Sequence, residues 1–251
     1  PFPELNATQS EELASLAKRG WSLKRNLDTV NETSHAFILP SSLRNRFGDY
    51  NPKTIEDELD QIQNKIDDIA FNLYGFTDHD RLAAKEEYQS TLSNKDKDEE
   101  DDQLNVSENE SLLSWAVGVV FARFNIKLAN GERTLPSEPD PFDPLPDKSP
   151  GMLNEGETPF HNEHDILVDD PLNPNDLSNL VQKVLDEINV NISTDVRHWI
   201  TTKFFEFHLK MYSKSRRKAP IYWPLSSPNG LYRIWIYYPS MTDQTLYAAV
   251  N

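Results

Sequence analysis

The chain has 251 residues, with 41 Asp and Glu against 25 Lys and Arg, no Cys, and a formal net charge of -16 at pH 7. That length allows one large domain or two modest ones with a real core, and the lack of Cys excludes disulfides, thiolate metal sites and cysteine nucleophiles. A surface this acidic repels phosphate over most of its area, so any nucleic-acid contact must be local. A hydrophobic content of 37% with a mean hydropathy of -0.66 predicts long loops and some disorder. No run approaches the roughly 18 to 20 apolar residues of a membrane span, and no signal peptide opens the chain. A soluble, cytoplasmic chain without a membrane partner is expected. It begins Pro1-Phe2-Pro3 with no initiating Met, as a piece of a longer protein would.

Thr8 and Glu11 have capping-box spacing, and Leu13, Leu16, Leu23, Leu27 and Val30 follow at helical steps with Gly20 in register, predicting a helix of about 20 residues. Residues 31 to 50 read as a packed loop. Asn51-Pro52 starts a second helix, whose Ile55, Leu59, Ile62, Ile66, Ile69 and Leu73 form a narrow seam that ends before Gly75. The two stripes predict a helical hairpin. A short helix near 81 to 88 is followed by an acidic block that includes Asp98-Glu99-Glu100-Asp101-Asp102. Such a block has too little apolar area to offset its ordering entropy and reads as a disordered linker.

Ser107 and Glu110 form a second capping box before Leu112 to Phe124, a segment apolar nearly all round and therefore a central buried helix. Prolines recur from Leu135 to Pro150 and predict an extended surface loop. Ile166 to Asp170 is a candidate short strand. Asn175 or Asp176 caps a helix with Leu177, Leu180, Val181, Val184, Leu185 and Ile188 on one face. A single further helix is predicted from about Thr194 through Trp199, Ile200, Phe204, Phe207 and Met211. Two β-like runs, Ile221 to Leu225 and Leu231 to Tyr238, are joined by Ser-Ser-Pro-Asn-Gly and read as a hairpin. Residues 242 to 251 look like the first turns of a helix.

The predicted fold class is α+β, mainly α: a helical hairpin region at 1 to 88, an acidic disordered linker at 89 to 111, and a second helical part at 112 to 251 ending in an aromatic β-hairpin. Charge is distributed unevenly over these parts. From Ser193 onward there are eight Lys and Arg against three Asp and Glu, or +5, so residues 1 to 192 carry -21.

Lys214, Arg216, Arg217 and Lys218 lie beside Tyr212, Tyr222, Trp223, Tyr232 and Trp235, the pairing of phosphate ligands with planar groups used on nucleic-acid surfaces. The competing reading makes Arg216 and Arg217 internal glue for the acidic half, with the aromatic residues as hairpin core. His161, Glu163, His164 and Asp165 crowd four metal-capable side chains together, but the spacing is not that of a zinc helix and the flanks are loop-like, so the reading is a solvated polar loop. Asp67-Asp68 and Asp169-Asp170 read as surface charge. There is no glycine-rich phosphate loop, no GxSxG and no persuasive Ser/His/Asp set.

Six stretches carry a resemblance: SLKRNLDTVNETSHAFILP at 22 to 40, IDDIAFNLYGF at 66 to 76, LLSWAVGVVFARFN at 112 to 125, ILVDDPLNPNDL at 166 to 177, HLKMYSKSRRKAPIYWPLSSPNGLYRIWIYY at 208 to 238 and TDQTLYAAVN at 242 to 251. Together they resemble the C-terminal region of bacterial type IIG-like and PglX-like adenine-specific DNA methyltransferases of restriction and phage-defence systems such as BREX and DISARM. In that family an S-adenosylmethionine-binding domain with an Asn-Pro-Pro-Tyr motif acts on a flipped adenine. This chain has neither that motif nor Asp-Pro-Pro-Tyr, so no catalytic residue carries over. The resemblance implies a non-catalytic segment that aids DNA recognition or scaffolds the methylase core, with S-adenosylmethionine bound by the parent enzyme and no cofactor in this segment. Implied partners are DNA, the methylase core and other defence-system proteins. Lys210, Lys214, Arg216, Arg217, Lys218 and Arg233 are the candidate phosphate contacts, and Tyr212 and Trp223 the candidate sugar or base contacts. The alternative is a protein-docking module with an acidic surface and no direct DNA contact.

Overall fold

The protein is described by a computed structural model covering residues 3–48, 50–87, 107–214, 217–228 and 232–250. It is α+β and mainly α, with one small antiparallel sheet and a two-stranded ribbon among the described residues. The chain forms two compact units: Pro1–Leu27 with Asp49–Asn105 and Glu138–Asp143, and Asp28–Gly48 with Val106–Ser137 and Pro144–Asn251. The division therefore cuts through the region expected at 1 to 88. Residues 28–48, which link the two helices of the hairpin, belong to the second unit.

In the first unit, α1 (Ala7–Asp28) and α3 (Pro52–Leu73) bury Leu23, Ile55 and Ile62 against Leu16, Leu27, Leu59 and Ile66. Both stripes are legible as seams, and Arg19 ties them with two bonds to Glu58 at 2.7 and 2.8 Å. The start of α1 differs from expectation. Asn6, not Thr8, caps it by accepting from Gln9 N at 2.8 Å, and Asn6 N in turn donates to Gln9 Oε1 at 3.2 Å. An Asn–Gln pair closes the same reciprocal box earlier in the chain, satisfying two amide donors of the helix start. Asn51 caps α3 through Thr54 N with Pro52 in the first turn, and Gly75 ends it at φ +66°, a conformation that costs a Cβ-bearing residue energy. Residues 78–87 form α4. The acidic linker expected at 89 to 111 lies outside the described residues as far as 106, and Ser107 already caps α5.

In the second unit, α5 (Glu108–Val120) is the axis. Every residue from Leu112 to Val120 is buried, as its all-round apolar sequence requires. Around it pack α2 (Ser41–Arg44), α6 (Ile126–Ala129), α7 (Leu177–Glu187), α8 (Val196–Thr202) and α9 (Phe204–Met211). The single helix expected from Thr194 to Met211 is two. Asp195 caps α8, and the backbone breaks at Lys203 with φ -119° and ψ -30°. Just before the break, Thr201 and Thr202 hydroxyls donate to the carbonyls of Arg197 and His198 at 2.9 and 2.6 Å, a back-bonding that competes with the helix ladder.

The sheet runs β1 (Ile166–Val168), β5 (Arg233–Tyr237), β4 (Tyr222–Ser226), with β5 central and all pairs antiparallel. Register sets its two faces, because side chains alternate and directly opposed residues share a side. Leu167, Trp235 and Tyr222 face the main core. Val168, Ile234 and Ile236 face outward with Ile166, and Met241 and Ala249 cover them. Ala249 belongs to α10 (Asp243–Val250). No helix among the described residues is long and apolar enough to cross a membrane.

Candidate nucleic-acid interface

The basic cluster is mounted on a ribbon. Strand β2 (Ser213–Lys214) leaves the end of α9 and pairs with β3 (Arg217–Lys218), Ser213 opposite Lys218 and Lys214 opposite Arg217. Ala219 N closes the root by donating to Tyr212 O at 3.0 Å, and the chain then enters β4. Arg216 lies outside the described residues, and for Lys214, Arg217 and Lys218 only the backbone is described.

Behind the ribbon's root sits a buried polar cluster. Arg123 Nη1 donates to Glu32 Oε1 at 2.9 Å and to the Tyr212 hydroxyl, and that hydroxyl donates to Glu32 Oε1 at 2.8 Å. The guanidinium also lies 4.5 Å from the Phe124 ring centroid and 5.3 Å from that of Tyr212. Burial works against the charge of Arg123, but the oxygens of Tyr222, Glu32 and Tyr212 outweigh it and hold the guanidinium above its ordinary range. Burial, reinforced by the Glu32 charge, raises the Tyr212 phenol, so its proton stays on. Tyr212 is thus the link through which the ribbon is tied to the 28–48 segment and to the end of α5.

His208 completes the root from α9. Its Nε2 accepts from Ile221 N at 2.9 Å and Tyr222 N at 3.3 Å. Two amide donors require a bare Nε2, which puts the ring proton on Nδ1 and leaves the imidazole neutral. Burial, then the nearby Arg123 charge, depresses its pKa to about 3.

The other candidate residues divide. Lys210 is exposed and ion-paired to Glu206, one turn back on α9, at 3.4 Å. Arg233 is engaged with its own fold: Nη1 donates to Thr201 O at 2.7 Å and Nε to Ser226 Oγ at 3.3 Å. Trp223 is 44% exposed on β4. The structure therefore brings Tyr212, Lys214, Arg217 and Lys218 together on one ribbon and its root. Lys210 lies one residue before the end of α9, and Arg233 anchors the far end of the hairpin to α8.

A second arginine set joins α8 to the start of α7. Arg197 on α8 clasps Asp176 at 3.0 and 2.6 Å and reaches Asp169 at 3.2 Å, while Asp176 caps α7 through Asn179 N at 2.8 Å. Asp169, expected as plain surface charge, is thereby committed to the fold. In the 161–165 segment, His161 Nε2 and Glu163 both bond the Asn175 side chain, at 3.1 and 2.6 Å. No group of three His, Asp or Glu residues that could hold a metal occurs among the described residues.

Sequence reasoning missed Glu32, Arg123 and His208. The available signals were a lone arginine ending an apolar helix and a histidine one turn after Phe204 on the apolar face of α9. No family model matches the chain, and neither a curated protein nor a solved structure matches it.

Proposed function

We propose that this chain is a non-catalytic segment of an S-adenosylmethionine-dependent N6-adenine DNA methyltransferase of a restriction or phage-defence system, and that its β2–β3 ribbon contacts the DNA phosphate backbone. The parent enzyme is inferred from the resemblance carried by the six stretches, of which 208 to 238 is the most specific. One observation supports the DNA contact. The buried carboxylates among the described residues, Glu32 and Asp176, already have dedicated arginines in Arg123 and Arg197. The role of internal glue for these two buried carboxylates is filled by Arg123 and Arg197. Lys214, Arg217 and Lys218 sit on a short ribbon whose root is held by Tyr212 and His208, so a charge on it is presented from a fixed base rather than from a long loop. In this reading Lys210 adds to the positive field, while Tyr212 and Arg233 position the hairpin.

The test is fluorescence anisotropy with a labelled mixed-sequence duplex at two salt concentrations. Arg216→Glu with Arg217→Glu is expected to weaken binding and to flatten the slope of log affinity against log salt by about 2, at roughly 0.9 for each phosphate that an arginine neutralises. Unchanged affinity and slope would count decisively against a role for the ribbon at the DNA backbone.

A further inference from the structure

We propose that the apolar groove on the outer face of the β4–β5 hairpin is a stacking platform for the bases of an unpaired nucleic-acid strand, whose phosphates lie on the adjoining ribbon. This rests on the phosphate-contact reading above and adds the part that touches bases. The groove has a volume of about 530 Å³ and is lined by Pro220, Trp223, Leu225, Ile236, Tyr238 and Met241 among others.

Its origin is the register of the hairpin. Trp223 opposes Ile236 and Leu225 opposes Ile234, so all four share the outward face. Met241 and Ala249 cover the β5 and β1 part of that face, and the β4 part stays open, with Trp223, Leu225 and Tyr238 exposed by 44, 46 and 59%. A water-facing strand face ordinarily carries polar residues at these alternate positions. Here it carries a tryptophan and a leucine.

Three features select the occupant. Trp223 is a fixed plane: its Nε1 donates to Pro220 O at 3.2 Å, and Phe205 stands beside it with ring centroids 6.2 Å apart. With its one polar atom satisfied, the indole offers an apolar face whose rotamer entropy is already spent, as a stacking ligand requires. Second, β4 is an edge strand with few amides left to pair with a further strand. Ile221 and Tyr222 amides are taken by His208, and Pro224 has no amide hydrogen. Recognition then falls mainly to side chains, which suits bases stacked without a sequence code. Third, the wall residue Pro220 follows Lys218 by two positions, so the ribbon's positive charge begins within ~7 Å of chain from the groove. An occupant that is planar and apolar yet carries a negative charge on every unit matches both neighbours at once.

The experiment compares this chain's binding to a labelled single strand of about 12 nucleotides, to an abasic strand of the same length, and to a duplex. The intact strand is expected to bind about tenfold more tightly than the abasic one, within the range for stacking of a single base. Trp223→Ala should abolish that preference, Trp223→Phe should keep most of it, and Lys218→Glu should weaken both strands alike. Equal binding of the two strands by the wild type overturns the groove proposal while salt-dependent duplex binding leaves the ribbon reading standing. Full retention of the preference in Trp223→Ala does the same. Absence of binding to all three nucleic acids overturns both readings and leaves the groove to an apolar helix of a protein partner.

Discussion

Arg123 and Glu32, 91 residues apart in sequence, meet at 2.9 Å with side chains only 7 and 6% exposed. A pair so withdrawn from water is weak evidence for stability as a pair, because desolvation offsets much of the attraction, but breaking it strands a buried charge. The Tyr212 hydroxyl, shared with both partners, extends the same linkage to the foot of the basic ribbon.

Arg123→Met is therefore expected to destabilise the second unit by about 3 to 5 kcal/mol, since it leaves Glu32 buried without its counter-charge. Adding Glu32→Gln should recover part of that loss. Urea denaturation of the two variants measures the difference. A double variant no more stable than the single one would show that the Glu32 charge is not what makes the loss.

His208 makes stability depend on pH in a stated direction. Its folded pKa of about 3 lies below the ordinary value of 6.5. The unfolded chain therefore binds a proton that the folded one refuses, and stability is fully present above pH 6.5 and lost as pH falls toward 3. The slope is about 1.4 kcal/mol per pH unit over that window. His208→Gln retains an acceptor for the two amides and should be flatter than the wild type by that slope between pH 6.5 and 5, where most carboxylates stay ionised. Parallel wild-type and variant curves would refute the assignment.

Gly151 is required by a close approach. Its amide donates to Phe37 O at 2.8 Å and its carbonyl accepts from Asn125 N at 3.0 Å, joining the 28–48 segment to the turn after α5. A Cβ there would collide with the backbone carbonyl of Ile38, which has no side-chain freedom to yield. Gly151→Ala should cost about 1 to 3 kcal/mol or more, read from the thermal midpoint. By contrast, Gly20→Ala on α1, whose Cβ would lie 3.8 Å from Ile62, should be tolerated.

Asp176 combines a helix cap with an ion pair, and two substitutions separate them. Asp176→Asn keeps an oxygen for the Asn179 amide and removes the charge that Arg197 clasps. Asp176→Ala removes both. Alanine should cost about 1 kcal/mol more than asparagine, the value of the cap alone, as determined by denaturant titration. Equal losses would mean that the ion pair carries the whole contribution.

The sequence by itself determined what is encoded within a contiguous stretch. The seams of α1 and α3, the Asn51–Pro52 start, the all-round apolar α5, the short strand at Ile166 and the aromatic hairpin each follow from a period or a cap that neighbouring residues supply. Tertiary structure decided what depends on residues far apart. Which of the chain's many carboxylates would be buried could not be read locally, because Glu32 resembles any other acid until residues 28–48 are packed beside the end of α5. The break at Lys203 and the choice of Asn6 over Thr8 as cap turn on small differences among competing local options, whereas the insertion of β5 between β1 and β4 depends on pairing between distant stretches. The open apolar face is of the same kind. Trp223 and Leu225 read as ordinary strand residues, and only the register of β4 on β5, with cover over one half of the outer face alone, makes them a surface.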